Sequence, residues 1–322
     1  MSRPLGVTPT QLRNILAVLG IALVLGASFT AAYTTALGRP VPRHMPIGLV
    51  GPAAPQYLKD LSASPDEFSP REYPNRQAAE QAVNAQELAA VIDATASPPE
   101  LLISSASDPS SSRALTQIDQ GGDNALKIDD LHPLPPSDPG GLATFYLVIA
   151  ATILGFVSMF QLRANVKGLS LRGWLCCLVF LAVVGGALLS AVSGPILGAL
   201  KTPYLQLWFL VAVQIAVAAM FNSAMLTMVH KWAIIPTWLV FVLLGNTSSG
   251  GAVSPTLLPE PFAFLNHALP SGAAVAAVHA ATYFPDYQRA LPYWVLGGWL
   301  LASTIALFVA ARVLHRGPAQ DE

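Results

Sequence analysis

Residues 243–270 read LLGNTSSGGAVSPTLLPEPFAFLNHALP. This glycine- and proline-broken stretch follows an apolar run, residues 232–245, that carries Pro236 near its start. At 1.5 Å per residue such a run extends about 21 Å, against a hydrocarbon core of about 30 Å. If it begins at one membrane face, residues 246–251 fall short of the other. Irregular backbone survives at that depth only when buried in protein or lining a wet cavity. Asn246, Thr247, Ser248 and Ser249 can satisfy free backbone groups, while Gly250 and Gly251 permit close approach or positive φ. Residues 252–269 are cut by Pro255, Pro259 and Pro261 and carry Phe262, Phe264 and Leu265. They read as a re-entrant or interfacial helix, followed by a short alanine-rich helix over residues 271–284. An ordinary external loop is the alternative, and the apolar character favours re-entry.

The rest of the chain supplies the membrane context. It is 53% hydrophobic and 11% charged, with a mean hydropathy of +0.52, against about 25% charged residues in soluble domains. Residues 14–37 form an apolar run longer than a cleavable signal's core, so a retained anchor is expected rather than a signal peptide. Residues 142–162, 173–195, 204–229 and 292–314 are four further spans, and 232–245 is the short one. The expected fold class is thus an α-helical polytopic membrane protein with six transmembrane helices. None of the runs has Asp, Glu, Lys or Arg in its interior, and Gly194–Pro195 should bend or end the third.

Residues 38–141 differ. They hold most of the acidic residues and read as a small α+β domain plus linker between the first and second spans. Residues 46–50 (PIGLV) suggest a buried strand, 77–90 a helix, 88–92 and 101–103 two more short strands, and 112–126 a weak helix. With six crossings, Arg3, Arg13, Arg163, Lys167, Arg172, Lys231, Arg312 and Arg316 share one side, which places both termini (1–13 and 316–322) in the cytoplasm. The α+β domain and residues 246–291 are then external.

Gln214 and Asn222, eight residues apart, and Ser223 are polar positions inside the fourth span. They either bond neighbouring helices or line a substrate path, with Gln206 near its outer end. Gly186, Ser190 and Gly194, and likewise Gly298, Ala302, Ala306 and Ala310, form small-residue stripes suited to helix packing, a dimer seam being one version. Proton antiport is disfavoured by the lack of an intramembrane charge. No histidine has metal-ligand spacing, Cys176 and Cys177 read as apolar filler, and no basic tract suggests nucleic acid. Neither a cofactor nor a catalytic residue is expected.

The order of anchor, external domain, four spans, broken external segment and last span resembles the membrane subunits of ABC-2-type exporters. Residues 245–284, GNTSSGGAVSPTLLPEPFAFLNHALPSGAAVAAVHAATYF, are similar to the segment after the fifth span in the YhgE/Pip and SNG1-like branch. There a G-N-x-x-S-G-G run precedes an L-P and a later P-x-G-A. Residues 46–50 and 78–92 resemble that family's first external strand and the helix and strand after it. The resemblance implies a homodimeric permease in a bacterial plasma membrane, moving an amphipathic or lipid-like substrate. It makes Gln214, Asn222, Ser223, Asn246, Ser248, Ser249, Gly250 and Gly251 candidates for path or gate. The chain has no G-x-x-x-x-G-K-[ST], so an ATP-binding subunit would be a separate chain. The 13 residues before the first run are too few for the connecting helix that many such subunits carry. A non-transporting scaffold or secretion accessory, binding a partner through the external domain, is therefore the alternative.

Overall fold

The computed structural model describes residues 8–38, 40–62, 64–120 and 126–315. It is mostly helical, with one five-stranded sheet. The first helix, α1 (Pro9–Leu37), starts on a capping box in which Thr8 accepts from Gln11 N and the Gln11 side chain accepts from Thr8 N. It is apolar and packs sparsely. Phe29 stacks on Tyr33 and reaches Trp238, and the Tyr33 hydroxyl donates to the Val242 carbonyl.

The sheet domain follows as β1 (Met45–Val50), α2 (Ala54–Leu61), β2 (Phe68–Tyr73), α3 (Arg76–Asn84), β3 (Ala90–Asp93), β4 (Glu100–Ile103), α4 (Pro109–Gln120) and β5 (Lys127–Asp130). The strand order is β2-β1-β3-β4-β5. All pairs are parallel except the β3–β4 hairpin. Parallel neighbours need crossover helices, so strands and helices alternate, and the expected α+β domain is an α/β one. The buried runs of β1, β3 and β4 are continuous apolar stretches, as a sheet covered on both faces requires.

Three sequence expectations are corrected here. The helix over 77–90 ends at Asn84, because Gln86 turns to φ 57 and sends Leu88 into the core under β3. The strand expected from residue 88 begins at Ala90. The helix over 112–126 starts earlier, at Pro109, where the Asp108 carboxylate accepts from Ser111 N; it is described as far as Gln120, and residues 121–125 of the expectation lie outside the described residues.

The remaining helices are α5 (Ala143–Asn165), α6 (Leu171–Ala191), α7 (Tyr204–Val229), the short α8 (Ile234–Trp238), α9 (Glu260–Ala268), α10 (Pro270–Tyr283) and α11 (Leu291–His315). Gly194–Pro195 falls in a π-helical turn, Val192–Ile196, that ends α6. Among the described residues, five helical stretches are long and apolar enough to cross a membrane: α1, α5, α6 with its π turn, residues Tyr204–Asn246, and α11. The fourth is not one rod. His230 has φ 54 and opens a 3-10 turn, His230–Ala233. Beyond it Thr237 donates to Asn222 Oδ1, and the Phe241 ring sits 5.6 Å from that of Phe221. A continuous helix would hold residues 221 and 241 about 30 Å apart. The chain therefore doubles back along α7, and the returning arm, α8 plus the π-helix Leu239–Asn246, is the short run read from the sequence.

α7 is the hub, packed by α5, α6, α10, α11 and the returning arm. A Cβ on Gly155 of α5 would lie 2.6 Å from the Ile215 carbonyl oxygen, so these two helices touch backbone to backbone. Gly186 and Ser190 face inward, with Gly186 against Ala212 of α7. Gly298 and Ala302 of the second stripe face outward from α11.

Candidate functional site

The broken stretch gathers the most chemistry in the molecule. The returning arm is wound wide as a π-helix, a form that recurs at functional sites. Its last carbonyls are satisfied locally: Thr247 Oγ1 donates to the Leu243 oxygen at 2.5 Å, and Ser249 Oγ donates to the Asn246 oxygen at 2.8 Å. Ser249 Oγ also accepts from Gly251 N. Asn246 lies at the arm's end, its side chain beside the Tyr33 hydroxyl of α1. Thr247, Ser248 and Ser249 are buried.

Two glycines shape the turn. Gly250 has φ +76, a conformation glycine adopts without strain. A Cβ on Gly251 would lie 2.7 Å from Cβ of Phe145 at the start of α5. Asn266 of α9 closes the turn from the other side by donating to the Ser248 carbonyl at 2.8 Å.

The chain then leaves the bundle and enters the sheet domain. Ser254 N donates to Ser110 Oγ, Thr256 Oγ1 lies 3.2 Å from Ser111 Oγ, and the Thr256 carbonyl accepts from Arg43 N. Leu257, 1% exposed, belongs to the domain's own core beside Met45 and Ile47. Residues 252–258 thus plug the sheet domain, and the helical part of the expected 252–269 segment is α9. Elsewhere along the junction, the Arg289 guanidinium donates to the Ala85 and Gln86 carbonyls, and His132 meets Phe284 edge-on. The Asp138 carboxylate accepts from Leu142 N and Ala143 N, capping α5 where the linker meets the bundle.

Between turn and domain lies a cavity of about 190 Å³, lined by Thr144, Ser249, Gly250, Gly251, Asn266 and His279 and, on the domain side, Gln86 and Ser107–Pro109. Thr144 Oγ1 is buried with no protein partner, and so are Ser248 Oγ and Ser271 Oγ close by. Buried polar atoms are usually hydrogen-bonded, so Thr144 Oγ1, the one of the three on the cavity's lining, keeps unused hydrogen-bonding capacity. Burial pushes the His279 imidazole below the ordinary histidine range, with the Asp108 carboxylate, a backbone contact to Ala106 and the Asp138 charge pulling the other way. The His279 imidazole and the Asp108 carboxylate both stand on the cavity's lining.

The candidates in α7 are placed elsewhere. Gln214 Nε2 donates to Thr152 Oγ1 of α5 at 2.7 Å. Asn222 Nδ2 donates to the Phe156 carbonyl at 2.9 Å while its oxygen accepts from Thr237. Ser223 Oγ accepts from Trp174 Nε1 of α6 and donates to the Ala219 carbonyl. Each ties α7 to a neighbour or to itself, which is the interhelix alternative of the sequence reading. Gln206 bonds Gln288, which also accepts from the Tyr293 hydroxyl. The junction therefore unites Asn246, Ser248, Ser249, Gly250 and Gly251, while Gln214, Asn222 and Ser223 lie within the bundle. Thr144, Asn266, His279 and Asp108 were not singled out by the sequence reading. The visible hint was Asn266, a polar residue within the apolar run FAFLNHAL. Comparison of the chain with known protein families, with curated proteins and with solved structures gives no match.

Proposed function

We propose that this chain is the membrane subunit of an ABC-2-type exporter for an amphipathic or lipid-like molecule, dimeric in a bacterial plasma membrane, with ATP hydrolysis on a separate chain. It crosses the membrane six times, counting the returning arm, with both termini cytoplasmic and the sheet domain outside. One observation carries the reading: the polar cavity under the sheet domain, whose floor is the GNTSSGG turn and whose roof is the domain itself. A polar head leaving the bundle would meet hydrogen-bonding groups there before reaching water. The turn then acts as an outer gate that the domain holds shut.

The test is efflux of a fluorescent lipid analogue from cells making the chain with the ATPase encoded beside it. Ala276→Trp, at an exposed position on the cavity's lining, should abolish efflux while the ATPase still co-purifies. Equal efflux with and without the chain, together with no ATPase association, would contradict the proposal. The second reading, a membrane scaffold binding an external partner, is supported by the bonds that Gln214, Asn222 and Ser223 make within the bundle, which leave only Gln214 Oε1 of these three side chains without a partner. Under that reading, crosslinking captures a partner on the sheet domain and no ATPase.

A further inference from the structure

A second cavity, about 300 Å³, opens at the other end of the bundle, where α5 and α7 end, α6 begins and α11 closes the side. Arg163 and His230 stand on its lining with the hydroxyl-bearing Ser223 and Thr227, and the rest is apolar, chiefly Trp174, Leu226 and Leu307. Trp174 Nε1 is already held by Ser223 Oγ, and Thr227 Oγ1 by the Ser223 carbonyl, so the floor is rigid and its donors are largely taken. Arg163 is exposed and, among the described residues, has no ion-pair or hydrogen-bond partner. Lys167, Arg172, Lys231 and Arg312, all exposed, lie within a few residues of the lining in sequence. No Asp or Glu occurs in residues 143–175, 204–238 or 291–315. Among the described residues this end of the bundle carries basic side chains and no acidic one, and the cavity is where a free guanidinium sits over apolar walls.

We propose that this cavity binds the phosphate head group of an anionic phospholipid, with Arg163 as its main ligand, His230 as a second donor, and the leucine-lined wall taking the start of an acyl chain. The proposal is independent of whether the chain transports anything. Guanidinium matches phosphate in a bidentate fork, and imidazole offers an N–H donor in either protonation state. Basic pockets between transmembrane helices are suited to anionic head groups. At ~30 Å³ per water the volume holds roughly ten waters, comparable with a phosphoglycerol group. A general positive patch would attract anionic lipid as well, but without dependence on one arginine.

The test uses the full-length chain in a neutral detergent, with thermal unfolding followed as phosphatidylglycerol, phosphatidylcholine or inorganic phosphate is added. Phosphatidylglycerol should raise the Tm and the other two should not. Arg163→Gln should need about tenfold more phosphatidylglycerol for the same shift, the loss expected for one charge-assisted hydrogen bond. Arg163→Lys, which keeps the charge without the fork, should fall between. Arg172→Gln, outside the cavity, should behave as wild type. Equal weakening by Arg163→Gln and Arg172→Gln would overturn the site in favour of diffuse surface charge. An equal shift from phosphatidylcholine would overturn the charge recognition, and an equal shift from inorganic phosphate would overturn the lipid as its source. If Arg163→Gln does not fold, native mass spectrometry of the wild-type chain decides: selective retention of phosphatidylglycerol over phosphatidylcholine supports the proposal, and equal loss of both refutes it.

Discussion

The sheet domain and the helical bundle solve the same packing problem with opposite placements of polar groups. In the domain, Ile47, Ile92 and Leu101 are buried, and charged side chains of α3, β4 and β5 join in one network. There Arg76 bonds Glu80, Glu100 and Asp129, and Lys127 bonds Glu100. In the bundle apolar groups lie on both sides: Leu207 and Ile215 are buried, Leu188, Leu205 and Val309 face outward, and the amides of Gln214 and Asn222 lie inside as ties. Water makes burial of apolar surface the drive for the first arrangement. Lipid is as apolar as leucine, so helices in it are held by close packing and interhelix hydrogen bonds instead. The junction belongs to both regimes: one segment contributes Leu257 to the domain's apolar core and Ser248 and Ser249 to a buried polar turn.

Perturbations should separate the regimes. Leu257→Ala should have the largest effect, about 2–5 kcal/mol for a fully buried leucine. The loss should fall on the sheet domain although residue 257 follows the bundle's fourth helix, and hydrogen exchange at β1 and β3 should report it. Exchange that quickens in the bundle alone would break the comparison. Gly155→Ala should come next, at about 1–3 kcal/mol, because the new methyl meets the Ile215 backbone. Its control is Gly297→Ala, where nothing lies within 4 Å, and thermal unfolding in detergent reads both. Asn222→Leu leaves the Phe156 carbonyl and Thr237 hydroxyl without their partner, and about 1–2 kcal/mol should be lost. No loss there would mean that the bundle does not depend on its polar ties.

The smallest effect is one of pH. Hydrogen bonds from Lys127 and Arg76 hold the Glu100 carboxyl below the ordinary glutamate range. The folded pKa lies under the unfolded one, so this contribution is complete above about pH 4.3 and is lost as pH falls through the folded value. Acid unfolding of the sheet domain should show that slope, and Glu100→Gln should flatten it.

How much could be read from the sequence follows the same division. β1 and β4 were legible because PIGLV and LLI are bounded apolar runs. β2 (FSPREY) and β5 (KIDD) were not, because edge strands carry polar residues and lack a buried signature. The helix read to residue 90 overran its end because Ala85, Leu88 and Ala89 keep a helical apolar spacing, while the turn at Gln86 is fixed by the sheet the chain must join. In the site, the short arm and the GNTSSGG turn followed from length and composition alone. Their partners did not: Asn266, Thr144 and Leu257 reach the turn or the domain through contacts across the fold that no local pattern encodes.

The central claim is that the GNTSSGG turn is enclosed between bundle and domain rather than exposed on an external loop. It is tested most directly by the maleimide labelling rate of Ser249→Cys in the detergent-solubilised full chain, with Cys176 and Cys177 changed to Ala. Ala53→Cys, at an exposed position of the sheet domain, is the reference. Ser249 is 2% exposed, so its cysteine should react at least about tenfold more slowly than the reference, given that free cysteine reacts according to its access. Equal rates at the two positions would contradict the enclosed turn and, with it, the junction as the site.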